Sequence, residues 1–162
     1  MTPEWVTEVL LPHLRKDLAV IWEPAAGTGM MVTVLERLAK VHASDIDPDG
    51  CDFLACNQTP DNCEAIITNP PYELATQFCE HALRFMQAAR GVVAMLLRVD
   101  FDSAKGRAHL FRDNPAWSKK VVLTKRIVWF EGGKSPSFNH AWYVFDWRHS
   151  GPPTISYGGS HA

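Results

Sequence analysis

Two consecutive prolines directly follow an apolar run of strand length, and no other feature constrains this chain as strongly. The run is Ala65-Ile66-Ile67-Thr68, and Asn69-Pro70-Pro71-Tyr72 ends it. Proline lacks a backbone N–H, so neither ring can extend a central strand. The sheet must stop here, and the Pro70 carbonyl has few alternative orientations. The amide oxygen of Asn69 beside that stiff carbonyl makes two acceptors held close together. Such a pair suits an –NH₂ group, which offers two N–H donors. Tyr72 adds a flat face on which a base can stack, an interaction worth about 1–3 kcal/mol in single-strand binders. Local grammar alone also allows a plain turn between strand and helix.

The rest of the chain alternates short apolar runs with helical patterns. Thr2-Pro3-Glu4 reads as a helix start, with Thr2 as the cap. Trp5, Val9, Leu10 and Leu14 then recur at helical spacing. Strands are expected over 17–22, 40–44, 64–68, 91–98, 120–125 and 141–147. Helices are expected after Gly29, over 73–89 and near 103–112. This order predicts an α/β fold with a mostly parallel central sheet, helices on both faces and an antiparallel last strand. One domain over 1–149 is expected, with a loose Gly/Pro-rich tail over 150–162.

Glu23-Pro24-Ala25-Ala26-Gly27-Thr28-Gly29 also follows a strand and opens a helix. Glycines there let the backbone approach a ligand closely. The Gly-Lys-Ser/Thr ending of a P-loop is absent. Val32 stands where a dinucleotide fingerprint has its third glycine, which disfavours a dinucleotide oxidoreductase. Asp45 ends the next strand, where an acid can accept from ribose hydroxyls. Ligands of such sheets bind outside the carboxyl ends of the strands. All three unusual segments fall at expected strand ends, so they are expected to share one site.

The net charge of −2 hides a division. Residues 1–97 carry 6 Lys+Arg against 13 Asp+Glu, a net of −7, while residues 98–134 carry 9 against 4, a net of +5. A basic stretch on a slightly acidic protein fits a polyanion contacted on one side, or an ordinary solvated surface. Cys51, Cys56, Cys63 and Cys79 have no C-x-x-C spacing, so no metal site is expected. No apolar run approaches the ~20 residues of a membrane helix, and the N-terminus lacks signal-peptide character. A cytoplasmic protein with no membrane partner is the expectation.

Taken in order, Glu23-Pro24-x-x-Gly27-x-Gly29, Asp45 and Asn69-Pro70-Pro71-Tyr72 resemble the class I S-adenosylmethionine-dependent amino methyltransferases, above all the DNA adenine-N6 type. The resemblance covers roughly residues 2–147. It implies a Rossmann-like methyltransferase fold and S-adenosylmethionine as cofactor. It places Thr2 and Pro3 near the methionine end, and Glu23, Ala25, Gly27 and Gly29 around the methionine and ribose. Asp45 would bind the ribose hydroxyls, Ile46 would flank the adenine, and Asp52 with Phe53 would meet the adenine amino group. Asn69 would adjoin the cofactor and, with the Pro70 carbonyl, hold the target amine. Pro71 would stiffen the turn, and Tyr72 would stack on the target ring.

The chain departs from that pattern in two places. Only three residues separate Pro48 from Asp52, so the helix usual after the second strand is expected to be missing and the family's third strand very short or absent. No segment is long enough for a separate target-recognition domain. Lys134, Ser135, Phe138 and His140, in the loop before the last strand, are candidates for touching a phosphate or a base. Nucleic acid is the expected partner, DNA favoured over RNA. An amino group in RNA, a protein glutamine amide, or an inactive methyltransferase-like partner subunit are the alternatives.

Overall fold

The computed structural model describes residues 1–47, 50–129 and 138–159. Among these, a seven-stranded sheet carries the fold, in the order β2-β1-β3-β4-β6-β5-β7. The strands are β1 (Val20–Glu23), β2 (Lys40–Ala43), β3 (Ala65–Thr68), β4 (Val92–Arg98), β5 (Trp117–Leu123), β6 (His140–Asp146) and β7 (Thr154–Gly158). The helices are α1 (Glu4–Leu10), α2 (Met30–Leu35), α3 (Ala75–Ala89) and α4 (Ala108–Phe111). Strands β2, β1, β3 and β4 run parallel, and β6 enters antiparallel between β4 and β5. The fold is therefore the expected Rossmann-like methyltransferase α/β arrangement.

Both faces of the sheet are dry, which explains the unbroken apolar reading of its central strands. In β4, Val92, Ala94 and Leu96 point to a core shared with α1 and α2 through Val6, Leu10, Met31 and Leu35. Val93, Met95 and Leu97 point to the opposite core, shared with α3 through Phe78, Ala82 and Met86. Full burial of such side chains stabilises by about 1.5–3 kcal/mol each. The indole of Trp142 in β6 donates to the Val6 carbonyl at 2.8 Å and so pins α1 to the sheet.

Several boundaries differ from the sequence reading, each for a local reason. The expected helix near 103–112 is broken into two 3-10 turns, Phe101–Ser103 and Lys105–Arg107, and the four-residue α4. Ala104 between the turns is extended at φ −76 and ψ 130, which interrupts the helical ladder. Residues after Ser150 are not loose as far as Gly158: β7 pairs in parallel with β5 from Lys119↔Thr154 to Leu123↔Gly158. Gly158 also packs against Val9 so closely that a Cβ has no room. Among the described residues between β2 and β3 the one helical element is a 3-10 turn, Phe53–Ala55, and β2 forms the sheet edge. No described helix is long and apolar enough to cross a membrane.

The parallel strands end at one edge of the sheet. There the chain order reverses, β1 leading outward to β2 while β3 and β4 lie on the other side, and such a reversal opens a crevice. Because β6 is antiparallel, its first residue, His140, arrives at the same edge opposite Arg98.

Gly91, the residue before β4, tests how tightly α3 is laid on this frame. A Cβ there would stand 2.5 Å from the Glu64 carbonyl and 2.6 Å from the Met86 sulfur. Gly91→Ala is expected to destabilise the protein by about 1–3 kcal/mol through overpacking, read as a lower urea midpoint at unchanged slope.

Candidate active site

Glu23 closes β1 and is fully buried. Its Oε1 accepts from the Thr68 hydroxyl at 2.5 Å and from the Ala25 N–H at 3.0 Å. One carboxyl oxygen thus joins the end of β1 to the end of β3. Burial pushes the carboxyl up to about 8, with repulsion from Asp45 adding to the rise and the two hydrogen bonds opposing it. Its other oxygen, Oε2, is buried and has no partner.

The turn after Glu23 is held by the next strand end. Ala26 donates to the Ser44 carbonyl at 3.0 Å, and the Gly27 N–H donates to Asp45 Oδ2 at 2.7 Å. Asp45 Oδ1 accepts from the Asp47 N–H at 3.2 Å. Gly27 and Gly29 have φ of 52° and 79°, in the left-handed region that only glycine enters freely, which explains both glycines. Behind them the Trp22 indole donates to the Ser44 hydroxyl at 2.8 Å, in the core. Each Asp45 oxygen retains lone-pair capacity for a further donor. Ile46 beside it is largely exposed, an apolar wall at the rim.

Asn69 faces the glycine turn. Its amide Nδ2 donates to the Thr2 hydroxyl at 3.0 Å, while its Oδ1 is buried without a partner. Met1, Thr2, Ala25, Gly27, Met30 and Asn69 are among the residues around a cavity of about 270 Å³. Thr2 thus lines that cavity and is not a helix cap: α1 begins after Pro3 with no side-chain cap bond. An unfilled buried polar atom costs about 1–3 kcal/mol, so Asn69 Oδ1 is primed for a donor, and Glu23 Oε2, which holds the carboxyl proton, also awaits a partner.

Tyr72 stands one turn beyond Asn69, 43% exposed. Its ring stacks on His140, centroids 5.6 Å apart at 28°. Trp129 meets both rings edge-on, 6.5 Å from Tyr72 and 5.4 Å from His140. His140 is 3% exposed and neither ring nitrogen has a partner. Burial and then the Arg98 charge hold its pKa below the ordinary histidine value, so the ring is neutral at neutral pH. Arg98 makes two bonds to Asp100, at 3.1 and 2.9 Å, and its guanidinium lies 3.8 Å from the Phe138 ring centroid. A second cavity, about 560 Å³, runs from Tyr72 and Glu73 past Arg98 and Asp100 to Arg107.

The structure thus gathers Thr2, Ala25, Gly27 and Asn69 around one cleft, with Glu23 beneath its turn and Tyr72 and His140 beside it. Asp52 instead caps the 3-10 turn, accepting from the Leu54 N–H at 2.9 Å. Phe53 is corrected: its ring is 2% exposed, wedged against Trp22 at 5.1 Å and Phe78 at 4.8 Å, and turns no face to a ligand. Phe138 is exposed and lies on Arg98, while Lys134 and Ser135 lie outside the described residues. Trp129, which no sequence motif marks, joins the aromatic row beside Tyr72 and His140. Thr68 was also missed, although a hydroxyl at the last position of an apolar strand is a visible signal. All four cysteines are free, and no described group of three or more His, Cys, Asp or Glu side chains is placed to hold a metal.

No protein-family model and no curated protein matches the chain. Solved structures do. A type I restriction-modification methyltransferase subunit from Streptococcus thermophilus aligns over 91% of this chain and 43% of its own, at 12% identity and a TM-score of 0.59. A proposed RNA methyltransferase from Pyrococcus horikoshii aligns over 87% and 80%, at 14% identity and 0.64. A proposed class I S-adenosylmethionine-dependent methyltransferase from Listeria monocytogenes aligns over 98% and 65%, at 17% identity and 0.63. The chain spans less than half of the restriction-modification subunit. At these identities the likeness is one of fold, and the fold is that of the class I methyltransferases.

Glu23 gives the site a pH signature. The folded state keeps a proton that the unfolded chain releases near 4.5, so stability falls as pH rises from about 4.5 to about 8 and then levels off. Glu23→Gln is neutral throughout and is expected to flatten that slope. Thermal melts of both proteins across this range check it, and an equal slope in the variant would assign the effect to another group.

Proposed function

We propose that the chain is an S-adenosylmethionine-dependent methyltransferase acting on an exocyclic amino nitrogen, adenine N6 in DNA. One observation carries the reading. Asn69 is anchored by its amide nitrogen to Thr2, which leaves Oδ1 buried, unpartnered and beside the cleft of the glycine turn. That is the acceptor an incoming amine requires, fixed before the amine arrives.

The residues fit the cofactor. Glu23 Oε2 has no partner beneath the turn, and a cationic methionine amino group there would favour the ionised carboxyl, freeing Oε2 to accept from it. Ala25, Gly27 and Gly29 offer backbone with no bulk in the way, and Asp45 stands ready for the ribose hydroxyls with Ile46 against the adenine. When bound, the cofactor supplies a methyl group on a positively charged sulfur.

The chain's own contribution is positional. Asn69 Oδ1 and the Pro70 carbonyl accept the two N–H groups of the target amine. Pulling them out of the ring plane localises a lone pair that the ring otherwise delocalises. Tyr72 stacks on the target ring, and His140 packs behind Tyr72 to fix its tilt. Alignment of nitrogen and methyl group then lowers the barrier, since a reactant held in line behaves as if very concentrated. The amine proton departs to solvent after transfer, so no histidine base is needed. In a duplex the adenine must first be flipped out, at a cost of a few kcal/mol.

The decisive experiment offers DNA, RNA and protein side by side with methyl-labelled cofactor and identifies the modified product. Label in N6-methyladenine of DNA is expected; label confined to RNA or to glutamine would refute the DNA assignment. Asn69→Ala is expected to keep S-adenosylhomocysteine affinity within about twofold but to lower turnover by about a hundredfold or more, the scale of losing one positioned polar group. Undiminished turnover in that variant would refute the amine-holding role.

A further inference from the structure

We propose that the apolar cleft between the start of α1 and residues 125–129 binds the nucleotide next to the target base on an unpaired DNA strand. The proposal rests on the DNA reading above. The cleft has a volume of about 710 Å³ and is walled by Pro3, Trp5, Met30, Val128 and Trp129, with Lys125 at its rim. Val128 is 50% exposed, so this is apolar surface left open to water. Lys125 Nζ lies 5.4 Å from the centroid of the Trp5 ring.

Three arguments point to a nucleotide. The first is chemical. A wall of flat indole with an ammonium at its edge recognises a ring joined to a phosphate: the base stacks and the phosphate meets the cation. The second is placement. Trp129 lines this cleft and is also edge-on to Tyr72 and His140, and Met30 lines both this cleft and the Asn69 cavity. A strand whose target ring sits on Tyr72 passes its neighbour directly into the cleft. The third is charge. Lys125 belongs to the stretch 98–134, where nine Lys and Arg outnumber four Asp and Glu in an otherwise acidic chain. Lys125 and Arg126 both line the cleft and no described acidic residue does, so an anionic strand complements it.

The strand must be unpaired at this position. Bases inside a duplex already stack on each other and present no free face, whereas an unstacked neighbour does. The cleft therefore selects an opened or single-stranded segment, with tolerance of base identity, because every base has a π-face.

The test is anisotropy of a short fluorescein-labelled oligothymidine with one central adenine, with and without S-adenosylhomocysteine. Duplex DNA, RNA of the same sequence and a glutamine-containing peptide are run as competitors. The single DNA strand is expected to bind more tightly than any of them. Trp5→Ala is expected to weaken it about tenfold, the effect of one lost stack, and Trp5→Phe to restore most of the affinity. Lys125→Gln, at an exposed position, is expected to weaken binding and to reduce the salt slope by about 0.7, one phosphate contact of a single strand.

Single-strand affinity unchanged in both Trp5→Ala and Lys125→Gln would overturn the proposal. So would tighter binding of the duplex, the RNA or the peptide. Calorimetry with S-adenosylhomocysteine separates the two readings. Failure of wild-type cofactor binding strikes the methyltransferase assignment, while the Trp5 and Lys125 effects, read without cofactor, still decide the cleft.

Discussion

A protonated carboxyl between two strand ends is the joint on which the site is built. Glu23 has no exposure to water, and an ionised carboxylate there would cost several kcal/mol. Holding a proton removes that cost, and the hydroxyl of Thr68 and the N–H of Ala25 satisfy one oxygen. The arrangement fixes how far the end of β1 lies from the end of β3. That spacing in turn sets the glycine turn, which follows Glu23, against Asn69, which follows Thr68. The same carboxyl leaves Oε2, which carries the proton, without a partner, so the folded chain carries a local deficit of about 1–3 kcal/mol that a polar ligand group can relieve.

Sheet topology supplies the second half of the site. Parallel strands bring only their C-terminal ends to the crevice, which accounts for Glu23, Asp45, Asn69 and Arg98. An N-terminal strand end reaches the same edge only if its strand is reversed. The antiparallel β6 does this, and the register Arg98↔His140 sets the imidazole behind Tyr72. Arg98 then acts from its neighbouring position, helping burial keep His140 uncharged. A neutral ring can pack against the tyrosine face without a counter-ion, which matters in a pocket where both imidazole nitrogens lack partners.

Much of this was legible in residue order, and the rest was hidden for identifiable reasons. Apolar runs broken by Pro, Gly or Asp located β1, β3 and β4 to within a few residues, because strands buried on both faces leave no room for polar alternation. The glycine and diproline turns were legible because each depends on its own residues' backbone restrictions. What escaped depends on contacts between distant segments. Thr2 has the local grammar of a cap, yet its hydroxyl is engaged 67 residues away by Asn69. Phe53 sits in a segment that the resemblance assigns to the cofactor, yet its ring completes an aromatic cluster with Trp22 and Phe78. Strand β7 looked like a tail because Ile155 and Tyr157 are exposed and proline and glycine precede them; only pairing with β5 orders it.

The site divides recognition between two kinds of surface. On the proposed reading, paired acceptors at Asn69 and Pro70 would read only that a group is an amine, and they would serve a glutamine amide equally well. Stacked rings read flatness. Tyr72 alone has one free face, but Tyr72, His140 and Trp129 form a supported row that continues towards the Trp5 cleft. On the proposed reading a small amide would occupy Tyr72 alone, whereas a strand would also reach the Trp5 cleft. Chemistry at the nitrogen and choice of polymer would then be set by different residues, and substitution of Tyr72 or Trp5 is the means to change one while leaving the other in place.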